Sequence, residues 1–220
     1  HDFAAPVIMH SAAQIVLLLV VLTDLAILGT SRLSSCIRGL AAQGLLLGLL
    51  PVLIAPQPSV HAVSLALGTV AVKGVALPWF LAWAIREAAV RREVEPLIGF
   101  IASQLVGALA LALAFAIASH LPLPAAQQPL LVPASLATLM IGFIVLTTRR
   151  KALTQVVGYL ILENGIYLFG LTQTESVPFL IELGVLLDIF VGVFIMGIVV
   201  FHINREFDSI DATRLTELTD

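Results

Sequence analysis

An all-α integral membrane protein of about seven transmembrane helices is what the sequence predicts, and three observations predict it. Of the 220 residues 60% are hydrophobic and only 11% charged, with a mean hydropathy of +1.07. A soluble domain of this length would need far more polar surface. The apolar residues run in stretches of about 20, the length a helix needs to cross a bilayer. Lys and Arg fall in alternate connections between those stretches, as the positive-inside rule requires.

Seven stretches qualify: residues 7–29, 37–55, 61–85, 97–119, 130–148, 153–172 and 178–202. The opening "HDFAAPVIMH" lacks a basic n-region and runs into a full-length apolar stretch, so a spanning helix is expected there rather than a signal peptide. The absence of an initiator Met gives the expectation of a trimmed chain. Arg32 and Arg38 follow the first span. "APQPS" at 55–59 follows the second, with no Lys or Arg. Arg86, Arg91 and Arg92 follow the third, and "LPLPAAQQP" at 121–129 the fourth. "RRK" at 149–151 follows the fifth, the sixth connection has no basic residue, and Arg205 and Arg214 follow the seventh. The alternation puts the N-terminus outside and the C-terminus in the cytoplasm. The polar tail is expected on the membrane surface or against a neighbouring subunit.

Composition also excludes functions. The net charge is −3 and no basic stretch of nucleic-acid type occurs, so no nucleic acid is expected as a partner. Cys36 is the single cysteine, which removes disulfide frameworks and iron–sulfur or zinc-thiolate sites from this chain.

Ionisable residues inside the spans carry the functional signal. Lys73 lies near the middle of span three, Glu163 of span six and Asp188 of span seven. Glu182 lies nearer the outer end of span seven. Asp24 lies toward the inner end of span one, where His10 and Gln14 share a face nearer the outside. A charge at the bilayer centre costs about 2.5–3.5 kcal/mol on insertion scales. Lys73 is about 18 Å of helix from either end, too far to snorkel easily. Each group must therefore face protein or water, or be neutral. One reading is that they pair and fix helix packing. The other is that Lys73, Glu163 and Asp188, at similar depth on three helices, pass protons.

The remaining polar residues divide similarly. Asp24 is expected to pair with Arg32 or to be solvated near the inner surface. Glu182 stands about 240° around the helix from Asp188 and is either a proton-entry group or a packing acid. His202 and His120 are expected at the interface, and Gln43 and Gln104 as bonds between helices. Gly74 and Pro78 predict a kink beside Lys73. A weak internal echo links "SRLSSCIRGLAAQGLLLG" and "TRRKALTQVVGYLILENGIYLFG", with Gln43 in place of the acid.

"RRKALTQVVGYLILENGIYLFG" and "LLDIFVGVFIMGIVVFHINREFDSID" resemble the small three-helix NuoK/MrpC family of complex I and cation-antiporter subunits. Asp188 and Gly192 match the family's mid-membrane acid four residues before a Gly, with Asp in place of the usual Glu. The family's other acid precedes an Asn by four positions, where this chain has Leu160. Here Glu163 directly precedes Asn164, about 60° from the same face. With four preceding spans, the whole chain is similar to hydrogenase-4 component E. That resemblance implies a four-helix part over 1–125, a NuoK/MrpC-like three-helix part over 126–204 and a polar cytoplasmic tail over 205–220. It also implies a multi-pass protein of the prokaryotic cytoplasmic (inner) membrane.

The resemblance further implies a proton-translocating membrane arm of a group 4 [NiFe]-hydrogenase or complex I-related assembly. Antiporter-like membrane subunits would be the partners. The NiFe and iron–sulfur centres would lie in partner subunits and no cofactor in this chain, so the chain would not be catalytic alone. Asp188 and Glu163 would carry protons, Lys73 would tune or carry, and Glu182 would be an outer relay, with Asp24 and His10 as lesser candidates. Two alternatives are a component of a Mrp-type cation/proton antiporter and a non-conducting structural adaptor. A retinal-type receptor is disfavoured because Lys73 is in span three rather than the last.

Overall fold

The structure is a computed structural model that describes residues 4–55, 59–87, 97–121, 129–172, 184, 187–197 and 201. Glu182, His202, the tail over 205–220 and much of the seventh predicted span lie outside the described residues, as does the side chain of His10. All secondary structure longer than an isolated bridge is helical among the described residues. The helices are α1 (Ala4–Leu28), α2 (Leu33–Ile54), α3 (Val60–Thr69), α4 (Leu77–Glu87), α5 (Phe100–His120), α6 (Leu131–Thr148) and α7 (Ala152–Leu171). A short apolar helix, α8 (Leu187–Gly197), lies in the seventh predicted span. Among the described residues, six helical segments are long and apolar enough to cross a membrane. The third of them joins α3 and α4 through a π-helical turn, Val70–Ala76.

The π turn has a local cause. Pro78 has no backbone N–H, so the carbonyl four residues before it loses its α-helical donor. The ladder widens instead, and the Leu77 N–H bonds to the Val72 carbonyl, five residues back. The kink expected from Gly74 and Pro78 is thus a widened turn centred on Lys73.

The second helix begins four residues earlier than the sequence reading placed it. Arg38 is one of the basic residues expected in the first connection. It stands on the exposed side of α2 and donates to Ser35 Oγ at 3.2 Å, so its charge faces out without ending the helix. The turns before α2 and α7 have the same backbone form. Arg32 (φ −107°, ψ 120°) and Arg149 (φ −105°, ψ 139°) are both extended, and each helix starts within a few residues.

Close packing rests on small residues, as expected where lipid supplies no hydrophobic drive between helices. A Cβ added at Gly142 would overlap the backbone of Leu162, and one at Gly158 the backbone of Leu146, so α6 and α7 are pressed together. A Cβ at Gly44 would overlap the backbone of Lys73 and Gly74, so α2 lies directly against the π turn.

Two apolar cores form toward opposite ends of the bundle. One takes Ala13–Val21 of α1, Leu47 and Leu50 of α2, Leu131–Ala137 of α6 and Tyr167–Leu171 of α7. The other takes Ile27 and Leu28 of α1, Leu33–Leu40 of α2, Leu77–Ile85 of α4, Ile141 and Val145 of α6, Leu153–Ile161 of α7, and Val191 and Ile195 of α8. Along α1, α2, α6 and α7 the switch from one core to the other leaves a gap of a few residues. The outer faces are apolar as well; Ile101, Leu105 and Leu109 form an exposed stripe on α5.

Candidate functional site

The gaps between the two apolar cores are filled by polar side chains. On α1 the gap holds Asp24, on α2 Gln43, on α6 Thr138, and on α7 Glu163 and Asn164. Lys73 lies in the π turn just before the α4 contribution to one core, and Asp188 just before that of α8. All seven are buried. They form one polar layer across the bundle.

Lys73 is its charged centre. Its Nζ lies 2.5 Å from Glu163 Oε1 and 3.0 Å from Asp188 Oδ1. Glu163 is only 1% exposed, so this contact is made in the bundle interior. Burial of this kind leaves ionised groups expensive unless they are paired. One ammonium and two carboxylates sum to −1. The cluster is neutral only when one carboxyl holds a proton. Glu163 Oε2 is buried with no hydrogen-bond partner among the described residues, leaving an acceptor position open on the acid.

A second branch reaches Asp24, which is fully buried. Gln43 Nε2 donates to Asp24 Oδ1 at 2.6 Å, and Thr138 Oγ1 donates to Asp24 Oδ2 at 2.7 Å. Asn164 Nδ2 then donates to Gln43 Oε1 at 2.9 Å. The pairing expected between Asp24 and Arg32 does not form. Arg32 is exposed, whereas Asp24 points into the bundle, where uncharged donors satisfy it. A cavity of about 10 Å³, lined by Lys73, Asn164, Leu40, Leu77, Pro78 and Leu160, separates the two branches. That is about the room one water needs.

Of the residues singled out in the sequence, the structure brings together Lys73, Glu163 and Asp188, and sets Asp24 at the far end of the same layer. Gln104 bonds between helices, its Nε2 donating to the Leu25 carbonyl at 2.9 Å. His120 is exposed at its helix end. Thr138 went unrecognised because a lone Thr in an apolar run carries no sequence signal. Tyr167, which accepts from Thr69 Oγ1 at 3.1 Å, was missed for the same reason. For Arg149 the sequence predicts only a basic residue of the fifth connection. It is 2% exposed, donates through Nη2 to the Leu28 carbonyl at 2.7 Å and lies over the Phe100 ring. Among the described residues, no group of three or more His, Cys, Asp or Glu side chains is placed to hold a metal ion.

The chain is 34% identical over 203 residues to "Uncharacterized protein Rv0085" of Mycobacterium tuberculosis, covering 91% of this chain and 92% of that protein. It is 30% identical over 98 residues to hydrogenase-4 component E of Escherichia coli K12, covering 44% of this chain and 45% of that protein. The same figures hold for hydrogenase-4 component E of Shigella flexneri. No family model matches, and no solved structure matches.

Proposed function

Because the chain belongs to the same family as the mycobacterial protein Rv0085, and shares part of its length with hydrogenase-4 component E, we propose that it is a membrane-arm subunit of a hydrogenase-type, complex I-related redox complex. In this reading Lys73, Glu163 and Asp188 carry protons. The observation behind it is the meeting of one ammonium and two carboxylates, from three separate helical segments, inside the polar layer. A structural pair needs one acid per base. A second acid on the same base provides two alternative partners for Lys73. A proton arriving on one carboxyl takes the cluster from −1 to neutral and leaves the ammonium paired with the other. Change in the partner subunits then drives the exchange electrostatically.

The wider assignment follows from this reading. The chain crosses the inner membrane of a prokaryote seven times, N-terminus outside and tail in the cytoplasm. Residues 126–204 form the NuoK/MrpC-like part, and antiporter-like subunits are its neighbours. The NiFe and iron–sulfur centres belong to partner subunits.

The test is proton pumping in inverted vesicles carrying the intact complex, with Glu163→Gln and Asp188→Asn compared with wild type. Assembly is followed by pull-down of the other subunits. Normal assembly with pumping lost supports the reading. Normal pumping in both variants makes the cluster a packing element and the subunit an adaptor.

A further inference from the structure

We propose that Asp24 is a positioning residue for the Lys73 cluster, acting through the side-chain amides of Gln43 and Asn164. Its functional meaning rests on the proton-carrying reading above.

The geometry carries the inference. An ionised carboxylate only accepts hydrogen bonds. Asp24 therefore draws the amide nitrogen of Gln43, at 2.6 Å, and turns the Gln43 oxygen away from itself. That oxygen accepts from the Asn164 nitrogen at 2.9 Å. Asn164 lines a cavity together with Lys73, and its carbonyl oxygen is the amide acceptor that the bond to Gln43 leaves over. An acceptor on that side favours the ammonium, directly or through one water. The charge on Asp24 thus fixes the orientation of two amides and ends as a favourable dipole beside Lys73.

Neutralising Asp24 removes this preference. A carboxylic acid can donate to the Gln43 oxygen instead. With Gln43 reversed, Asn164 reverses too and presents its amide N–H groups to a cation. Gln and Asn exchange no protons at ordinary pH, so the link transmits orientation and not a proton. Such chains polarise one another in a low-dielectric interior.

The groups facing each end are few among the described residues. Glu163 faces Lys73 from the π turn and Asp188 from α8, with Tyr159 on its own helix close enough to feel both acids. Asp24 faces Gln43 from α2 and Thr138 from α6.

The test is an infrared titration of the protonated-carboxyl band of Glu163 in the purified, assembled complex. The band is identified by its loss in Glu163→Gln. Asp24→Asn is expected to move the titration to higher pH by about one unit, a tenfold change in proton affinity. In a Gln43→Leu background the same replacement is expected to give no upward shift. Should Gln43→Leu fail to assemble, Asn164→Ala cuts the link at its other end and gives the same expectation. No shift in Asp24→Asn overturns the proposal. So does a shift to lower pH, the direction that loss of a nearby negative charge alone produces, or an upward shift that survives cutting the link. Pumping by Glu163→Gln is read separately, so the amide link can stand or fall independently of proton translocation.

Discussion

Lys73 and Glu163, 90 positions apart in the chain, are joined at 2.5 Å inside the bundle, and Asp188 completes the contact from a third helix. A base shared by two acids is easily unbalanced by removing one member, and this governs how the variants should behave.

Lys73→Met leaves two buried acids without their cation. Breaking a buried pair from one side costs about 3–5 kcal/mol. The subunit is expected to lose thermal stability and to be poorly recovered with its partners. Combining Lys73→Met with Glu163→Gln and Asp188→Asn removes the uncompensated charge and should restore recovery. Thermal melting of the purified complex checks both, and equal instability of the single and triple variants would count against the charge argument.

Gly44→Ala tests the approach of α2 to the π turn. The new methyl overlaps the Lys73 backbone, and such overpacking costs about 1–3 kcal/mol. A lower melting temperature is expected, together with weaker pumping, because Lys73 moves relative to α7. Gly68→Ala, where an added Cβ meets nothing within 4 Å, is the control and should behave as wild type.

Arg149→Ala removes the donor that closes α1. The Leu28 carbonyl is left unpaired in a buried position, at a cost of about 1–3 kcal/mol. Arg149→Lys recovers part of the loss, since an ammonium can reach one carbonyl but does not stack on Phe100 as a guanidinium does. Melting curves of the two variants should fall in that order.

The orientation proposed from the basic loops is open to a labelling experiment. In a Cys36→Ala background, Ser31→Cys should react with an impermeant maleimide only from the cytoplasmic side. Leu121→Cys should react only from the outside. Both positions are exposed. Labelling of the two from one side would overturn the proposed topology.

Part of this design is readable without coordinates. Helix positions were legible because each depends on local composition: a run of about 20 apolar residues has few alternatives to a membrane helix. The start of α2 was misjudged because arginine is tolerated on an exposed helical face near a membrane surface, which hydropathy alone does not register.

From the sequence alone it follows that the chain is built of membrane-length helices, and that Lys73, Glu163 and Asp188 stand where a charge is costly. Those are properties of single residues and their immediate neighbours. Which of them meet is settled by how the helices pack. Asp24 turns from Arg32 to Gln43 and Thr138, and Thr138 and Asn164 acquire partners that no spacing announces. The physical reason is that a side chain's partner depends on the rotation and closeness of helices far apart in sequence. Gly44, Gly142 and Gly158 set that closeness, and the π turn before Pro78 sets the rotation of Lys73.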